Sequence, residues 1–273
     1  MKTRTALIIA IVLGLFTYTL PLYAGEKEHH IEEKTVIDIP VVGKITTRTT
    51  SYLSGCKLKE STSTKLHNAL VQLVSDSDGK STDIQLSDLC DEIQWEYNET
   101  LSNYESRSFQ EIRTQYQQDN DDSDIHIDIE SDQNDIDDLP KMIREILGYE
   151  KNINGYKARK VVTTVYPEDS ENRIIVEEYY TTGSQALSKI TRAREDLNMK
   201  LGYDDDHLEG VPSLVDVIHE AIKEDTEWSR PDGEVIRFVI RLLDEDDDEM
   251  FSMKYDVLES ETTRYKEDHF TLK

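Results

Sequence analysis

The chain has 273 residues, of which 57 are acidic and 31 basic, for a formal net charge of −26. So negative a surface repels nucleic-acid phosphates and anionic membranes, which excludes both as partners and favours cations or a basic protein. Apolar residues still make up 37% and fall in periodic stretches, which indicates a folded domain under an acidic skin instead of a disordered polymer.

Met1-Lys2-Thr3-Arg4 is a short basic segment, and Ala6 to Phe16 is an apolar run. A mixed stretch with Pro21 then leads to Ala24-Gly25. Basic start, short apolar core and small residue make the three-part pattern of a cleavable secretory signal over residues 1–24. The run is too short to span a bilayer without its threonines and proline, so a soluble periplasmic or secreted protein with no remaining membrane span is expected. Residues 25–34, with His29 and His30 beside Glu28 and Glu32, are expected to be a flexible polar N-terminus.

Residues 35–273 are expected to form a single domain. Thr35 to Leu53 is rich in β-branched residues and suits strands. Ser54-Gly55 is a turn, and Lys57 to Lys65 returns as a polar strand. Asn68 to Ser75 fits helix or strand by period alone; the Asp78-Gly79 turn behind it favours a strand in a hairpin. Asp83 to Leu86 and Ile93 to Tyr97 alternate. Residues 106–118 carry Phe109, Ile112 and Tyr116 at helical spacing. Asp119 to Asp138 is an acidic, low-complexity stretch expected to be extended and mobile. Leu139 to Leu147 has the spacing of a short helix ended by Gly148.

Tyr156 to Tyr166 and Arg173 to Thr182 are expected strands. Ser184 opens a helix with Leu187, Ile190, Leu197 and Leu201 on one stripe and Gly202 at its end. Ser213 opens another. In the next strand Ile236, Phe238, Ile240 and Leu242 share one side and Arg237, Val239 and Arg241 the other; Phe251 to Val257 completes a hairpin. Nine to eleven strands, three or four helices and no βαβ rhythm give an α+β fold: a curled antiparallel sheet, a half-open barrel, with helices over its concave face.

The chemistry-bearing patterns are sparse. His219-Glu220 lacks the second histidine of a helical zinc-protease motif, since Lys223 stands there. There is no nucleophile elbow and no glycine phosphate loop, so neither an enzyme nor a cofactor is expected. Asp119, Asp121, Ser123 and Glu130 match a calcium-loop template, but Asp124 replaces its glycine and Ile127 a ligand. That segment, His29-His30 and Asp204-Asp205-Asp206-His207 are taken as solvated charge, and no metal site is expected. Asn98-Glu99-Thr100 is a glycosylation sequon. Tyr179 and Tyr180 should face opposite sides of one strand. Cys56 and Cys90, the only cysteines, are a candidate disulfide in an exported chain, two separate buried thiols being the alternative.

Several short motifs stand in a set order: Thr49-Thr50-Ser51-Tyr52-Leu53-Ser54-Gly55-Cys56-Lys57-Leu58-Lys59, Ile84-Gln85-Leu86-Ser87-Asp88 and Ile93-Gln94-Trp95-Glu96-Tyr97. Ile153-Asn154-Gly155-Tyr156-Lys157-Ala158-Arg159-Lys160-Val161-Val162 follows, then Glu178-Tyr179-Tyr180-Thr181-Thr182 and Asp268-His269-Phe270-Thr271-Leu272. This order resembles a family of exported bacterial proteins of unknown function. Tyr180 stands where that family often has tryptophan, Leu272 where it has proline, and the 119–138 insert is long. The family is similar in architecture to the periplasmic lipoprotein carriers (LolA-like), which implies a lipid-like ligand held without catalysis. The alternative expectation is an interaction module that docks a basic protein partner through 119–138.

Overall fold

The computed structural model describes residues 26–40, 43–67, 80–98, 101–121, 141–167, 171–203 and 231–272. Eleven strands form one sheet: β1 (Lys27–Ile39), β2 (Gly43–Ser54), β3 (Lys57–His67), β4 (Lys80–Asp88), β5 (Ile93–Asn98), β6 (Asn103–Ser108), β7 (Lys141–Ile153), β8 (Tyr156–Tyr166), β9 (Arg173–Thr181), β10 (Glu234–Leu243) and β11 (Glu249–Arg264). Their order is β6-β5-β4-β3-β2-β1-β11-β10-β9-β8-β7. All neighbours are antiparallel. Two meanders, β1 to β6 and β7 to β11, are thus joined at the middle by β1 on β11. The sheet is not closed; β6 and β7 are its outermost strands. Two α-helices accompany it among the described residues, α1 (Phe109–Asp121) and α2 (Gln185–Leu201), with a 3-10 turn at Glu267–Phe270.

Both helices begin on side-chain caps. Ser108 and Glu111 bond reciprocally at the start of α1: the Ser108 amide donates to Glu111 Oε2 at 2.7 Å and the Glu111 amide to Ser108 Oγ at 3.2 Å. That is a capping box. At α2, Ser184 Oγ accepts from the Leu187 amide at 3.2 Å and lies 2.5 Å from Ser260 Oγ on β11, so one hydroxyl both starts the helix and pins it to the sheet. Gly202 ends α2 with φ of 73°, the left-handed region that costs a Cβ-bearing residue energy. Ser184→Ala is expected to cost about 1 kcal/mol, measured by urea denaturation.

Ala186, Leu187, Ile190, Ala193, Leu197 and Leu201 are the buried residues of α2. The helix packs on β1, β2 and β11 and touches α1. Its stripe meets Ile31, Leu53, Ile236, Phe238, Tyr255 and Val257 in one core, where the Phe238 and Tyr255 rings stack 5.4 Å apart.

Two expectations are corrected. The flexible tail expected over 25–34 is, from Lys27 onward, the first half of β1, a central strand paired on both sides. Its inward positions include carboxylates, which hid the alternation. The short helix expected over 139–147 is not formed at Lys141 and beyond, where the described residues belong to β7. Met142, Ile143, Ile146 and Leu147 have helical spacing. The register of β7 against β8 slips between Ile146 and Tyr149, and a slip of this kind lets both apolar pairs sit in a strand. Gly148 lies within that slip instead of capping a helix. The expected 68–75 strand, the Asp78-Gly79 turn and the helix from Ser213 lie outside the described residues.

Candidate functional site

The sheet has two unlike faces. Cross-strand pairing places Ile31, Glu33, Thr35 and Ile37 of β1 on one face with Ser51, Thr49, Thr47 and Ile45 of β2 and with Val257, Tyr255 and Met253 of β11. This face carries α2.

Beneath α2 lies a charged cluster drawn from five elements. Arg194 on the helix donates from Nη1 to Glu33 Oε1 at 3.1 Å and from Nη2 to Glu33 Oε2 at 2.5 Å, a two-pronged contact with β1. Its Nε donates to Glu60 Oε1 on β3 at 2.9 Å and its Nη2 to Ser51 Oγ on β2 at 2.9 Å. Ser51 Oγ donates to Glu60 Oε1 at 2.9 Å, and the Tyr255 hydroxyl of β11 to Glu33 Oε1 at 2.5 Å. The Glu33 side chain is 7% exposed and that of Arg194 24%. Burial alone would raise the Glu33 carboxyl; the Arg194 charge and hydrogen bonds, then the Tyr255 bond, outweigh it and hold the group below its ordinary value. Burial, followed by the Glu33 charge, pushes the Tyr255 phenol well up. Both groups keep fixed protonation states near neutrality, so the cluster is a clasp between helix and sheet rather than an acid–base pair.

Away from α2, this face divides by polarity. On β2 and β3 it is a threonine ladder, Thr47 to Thr64 at 3.2 Å and Thr49 to Thr62 at 3.1 Å. Towards β9 it becomes apolar in two rows. Ile45, Ile37, Met253, Ile240 and Val176 form one. Phe251, Leu242, Ile174 and Val165 form the other. The first row grades from half-buried to buried, whereas all four members of the second are half-buried. Beside them Glu178, fully buried, accepts from the Tyr180 hydroxyl at 2.5 Å and from Arg144 Nη1 at 3.2 Å.

The opposite face is a ladder of paired charges. Lys160 and Arg241 meet Glu177, and Arg237 and Lys254 meet Asp256. Lys160 and Arg237 also lie over the Tyr179 ring. The carboxylates of these pairs are largely buried while their cations keep partial access to solvent, and ion pairs of this kind add little net stability. At one corner, Glu28 is 1% exposed; its Oε1 lies 2.8 Å from His269 Nδ1, and its Oε2 accepts from the Lys266 amide at 3.2 Å. The Tyr52 ring lies between His30 and His269, with centroids 4.7 and 4.2 Å away.

The residues singled out in the sequence fare unequally. Cys56, in the β2–β3 turn, and Cys90, in the β4–β5 turn, come together with Cα atoms 5.6 Å apart, a disulfide-capable pair. Tyr179 and Tyr180 face opposite ways as expected, their hydroxyls donating to Glu177 and Glu178. Asn98 ends β5; its Nδ2 donates to Glu105 and its Oδ1 accepts from the Leu101 amide. Asp119 and Asp121 fall in the last turn of α1. Ser123, Asp124, Ile127, Glu130, Asp204 to His207, His219 and Glu220 lie outside the described residues, as do residues 1–24. A shallow groove along α1, lined by Ser108, Gln110, Glu111, Thr114, Gln115 and Gln118, is too polar for an apolar ligand. No helix among the described residues is long and apolar enough to cross a membrane.

The Arg194 cluster was not anticipated. Its signal was present: Arg194 follows Ile190 by four and precedes Leu197 by three, on the stripe of α2 that had to be buried.

No family model matches the chain, and no curated protein matches it. Among solved structures it is similar to a LolA superfamily protein from Nitrosomonas europaea, at 8% identity over 89% of this chain and 90% of that one, with a TM-score of 0.24. At that score no residue role passes from one protein to the other.

Proposed function

We propose that this protein is exported and is a non-enzymatic binding or carrier-like protein for an apolar or amphipathic ligand, held on the helix-bearing face of the sheet. The observation that carries this reading is the second apolar row, Phe251, Leu242, Ile174 and Val165, which is half-buried on a face whose neighbouring apolar positions are buried. Apolar side chains gathered across four strands favour an apolar occupant. An eleven-stranded sheet twists and coils; in this reading the coil makes the helix-bearing face concave, and the helices are its cover. The leader over residues 1–24 supports delivery to a periplasmic or extracellular space.

Native mass spectrometry of protein purified from its own cell envelope, before and after solvent extraction, tests the proposal. The expected result is a polypeptide beginning at Gly25 that carries a lipid-like mass, lost on extraction and absent from an Ile174→Asp/Leu242→Asp variant that still folds. A bare polypeptide from every preparation would overturn it. A low-salt pull-down lost on deletion of 119–138 would then support the acidic docking module.

A further inference from the structure

β1 carries two adjacent histidines, and the pleat sends them to opposite faces. His29 points to the helix-bearing side, where its Nδ1 lies 2.9 Å from Thr262 Oγ1. His30 points to the other side, paired with Glu261 on β11 and Tyr52 on β2. Its imidazole is stacked on the Tyr52 ring, tilted by 19°, and its side chain is 12% exposed. The ring is therefore held in one orientation before any ligand arrives. His30 Nδ1 lies 3.7 Å from Glu261 Oε1. Glu259, two residues back along β11, presents its carboxylate on the same side. One ligand atom from each of His30, Glu259 and Glu261 lies within 4.8 Å of the other two.

A tetrahedral ion with bonds of about 2.1 Å holds its ligand atoms roughly 3.4 Å apart. Both glutamates are exposed, so rotamer changes alone can close the remaining gap. We propose that His30, Glu259 and Glu261 form a binding site for a divalent transition-metal ion of the zinc, cobalt or copper class, with solvent completing its coordination. The imidazole makes the choice of metal, since magnesium and calcium take oxygen ligands.

The electrostatics agree. The carboxylates of Glu28, Glu259, Glu261 and Glu32 all lie close enough to the Tyr52 ring to act on it, so four negative charges converge on one place. Two of the four are answered: Glu32 by Arg48 at 3.1 Å, and Glu28 by His269 and the Lys266 amide. Glu259 has no cationic partner among the described residues, and Glu261 has only the 3.7 Å contact with His30. A divalent ion would relieve the repulsion between these two carboxylates, and the fixed imidazole would localise it.

Calorimetric titration of chelator-treated protein with Zn2+, with Ca2+ as the contrasting ion and Co2+ as a spectroscopic probe, tests the site. One Zn2+ equivalent is expected to bind well ahead of Ca2+, and Co2+ to give the visible absorption of a site with nitrogen and oxygen ligands. His30→Ala and Glu259→Gln/Glu261→Gln should each weaken Zn2+ binding tenfold or more, while His29→Ala on the opposite face should not. Because Glu259 and Glu261 are exposed, Glu259→Gln/Glu261→Gln keeps the test open should His30→Ala unfold, which circular dichroism reads. Equal Zn2+ affinity in the parent and the glutamine variant, or Ca2+ binding as tightly as Zn2+, would sink the proposal and leave only diffuse attraction to an acidic surface.

Discussion

Replacing Arg194 by methionine is expected to destabilise the protein by about 3–5 kcal/mol, because it leaves the Glu33 carboxylate buried without its cation. Glu33 is 6% exposed and would keep only the Tyr255 hydroxyl and the neighbouring Glu60 charge. The double variant Arg194→Met/Glu33→Gln removes both charges and should recover much of the loss, as neutral replacements of buried ion pairs do. Urea denaturation of parent, single and double variants reads both effects; an Arg194→Met variant as stable as the parent would show that the clasp contributes nothing. The pH dependence follows in sign. Because the folded protein holds the Glu33 carboxyl below its ordinary value of 4.5, the contribution is complete above that value and is lost as pH falls through the lower, folded value. The Arg194→Met/Glu33→Gln variant should therefore lose less stability than the parent on acidification below pH 4.5.

The second large effect concerns Cys56 and Cys90. Thirty-four positions separate them in sequence, and bridging a loop of that length stabilises by roughly 3–4 kcal/mol on the chain-entropy model. The two turns that carry them are already joined, with the Leu89 amide donating to the Cys56 carbonyl at 2.8 Å. Cys56→Ser/Cys90→Ser should lower stability by that amount, and thiol reductant should lower the parent alike while leaving the variant unmoved. Two titratable thiols in the untreated, unfolded protein would count against the bridge.

The contrast between β10 and β1 shows what was legible from sequence. In β10 the inward positions Ile236, Phe238 and Ile240 are apolar, so the pleat is written in the residues themselves. In β1 the inward position 33 is a glutamate, made tolerable by an arginine 161 residues away, and the buried Glu28 is bonded to a histidine 241 residues away. No local window contains either partner, and the segment therefore reads as a polar tail. β7 failed for a different reason: the slip between Ile146 and Tyr149 gives a strand the apolar spacing of a helix. The candidate ligand face was half legible. Its apolar rows follow from alternation, but their adjacency across β1, β11, β10 and β9 depends on the β1–β11 pairing, which no periodicity announces.

That pairing also sets an order of events. β2 to β6, and β7 to β10, find most of their neighbours within a hairpin of themselves, contacts that close quickly. β1 is different, since one of its two neighbours is the last strand of the sheet, Glu249–Arg264. During synthesis two half-sheets can take shape as they emerge, but the seam between them, with Ile31 and Val257 in its core, stays open to water until the final strand is made.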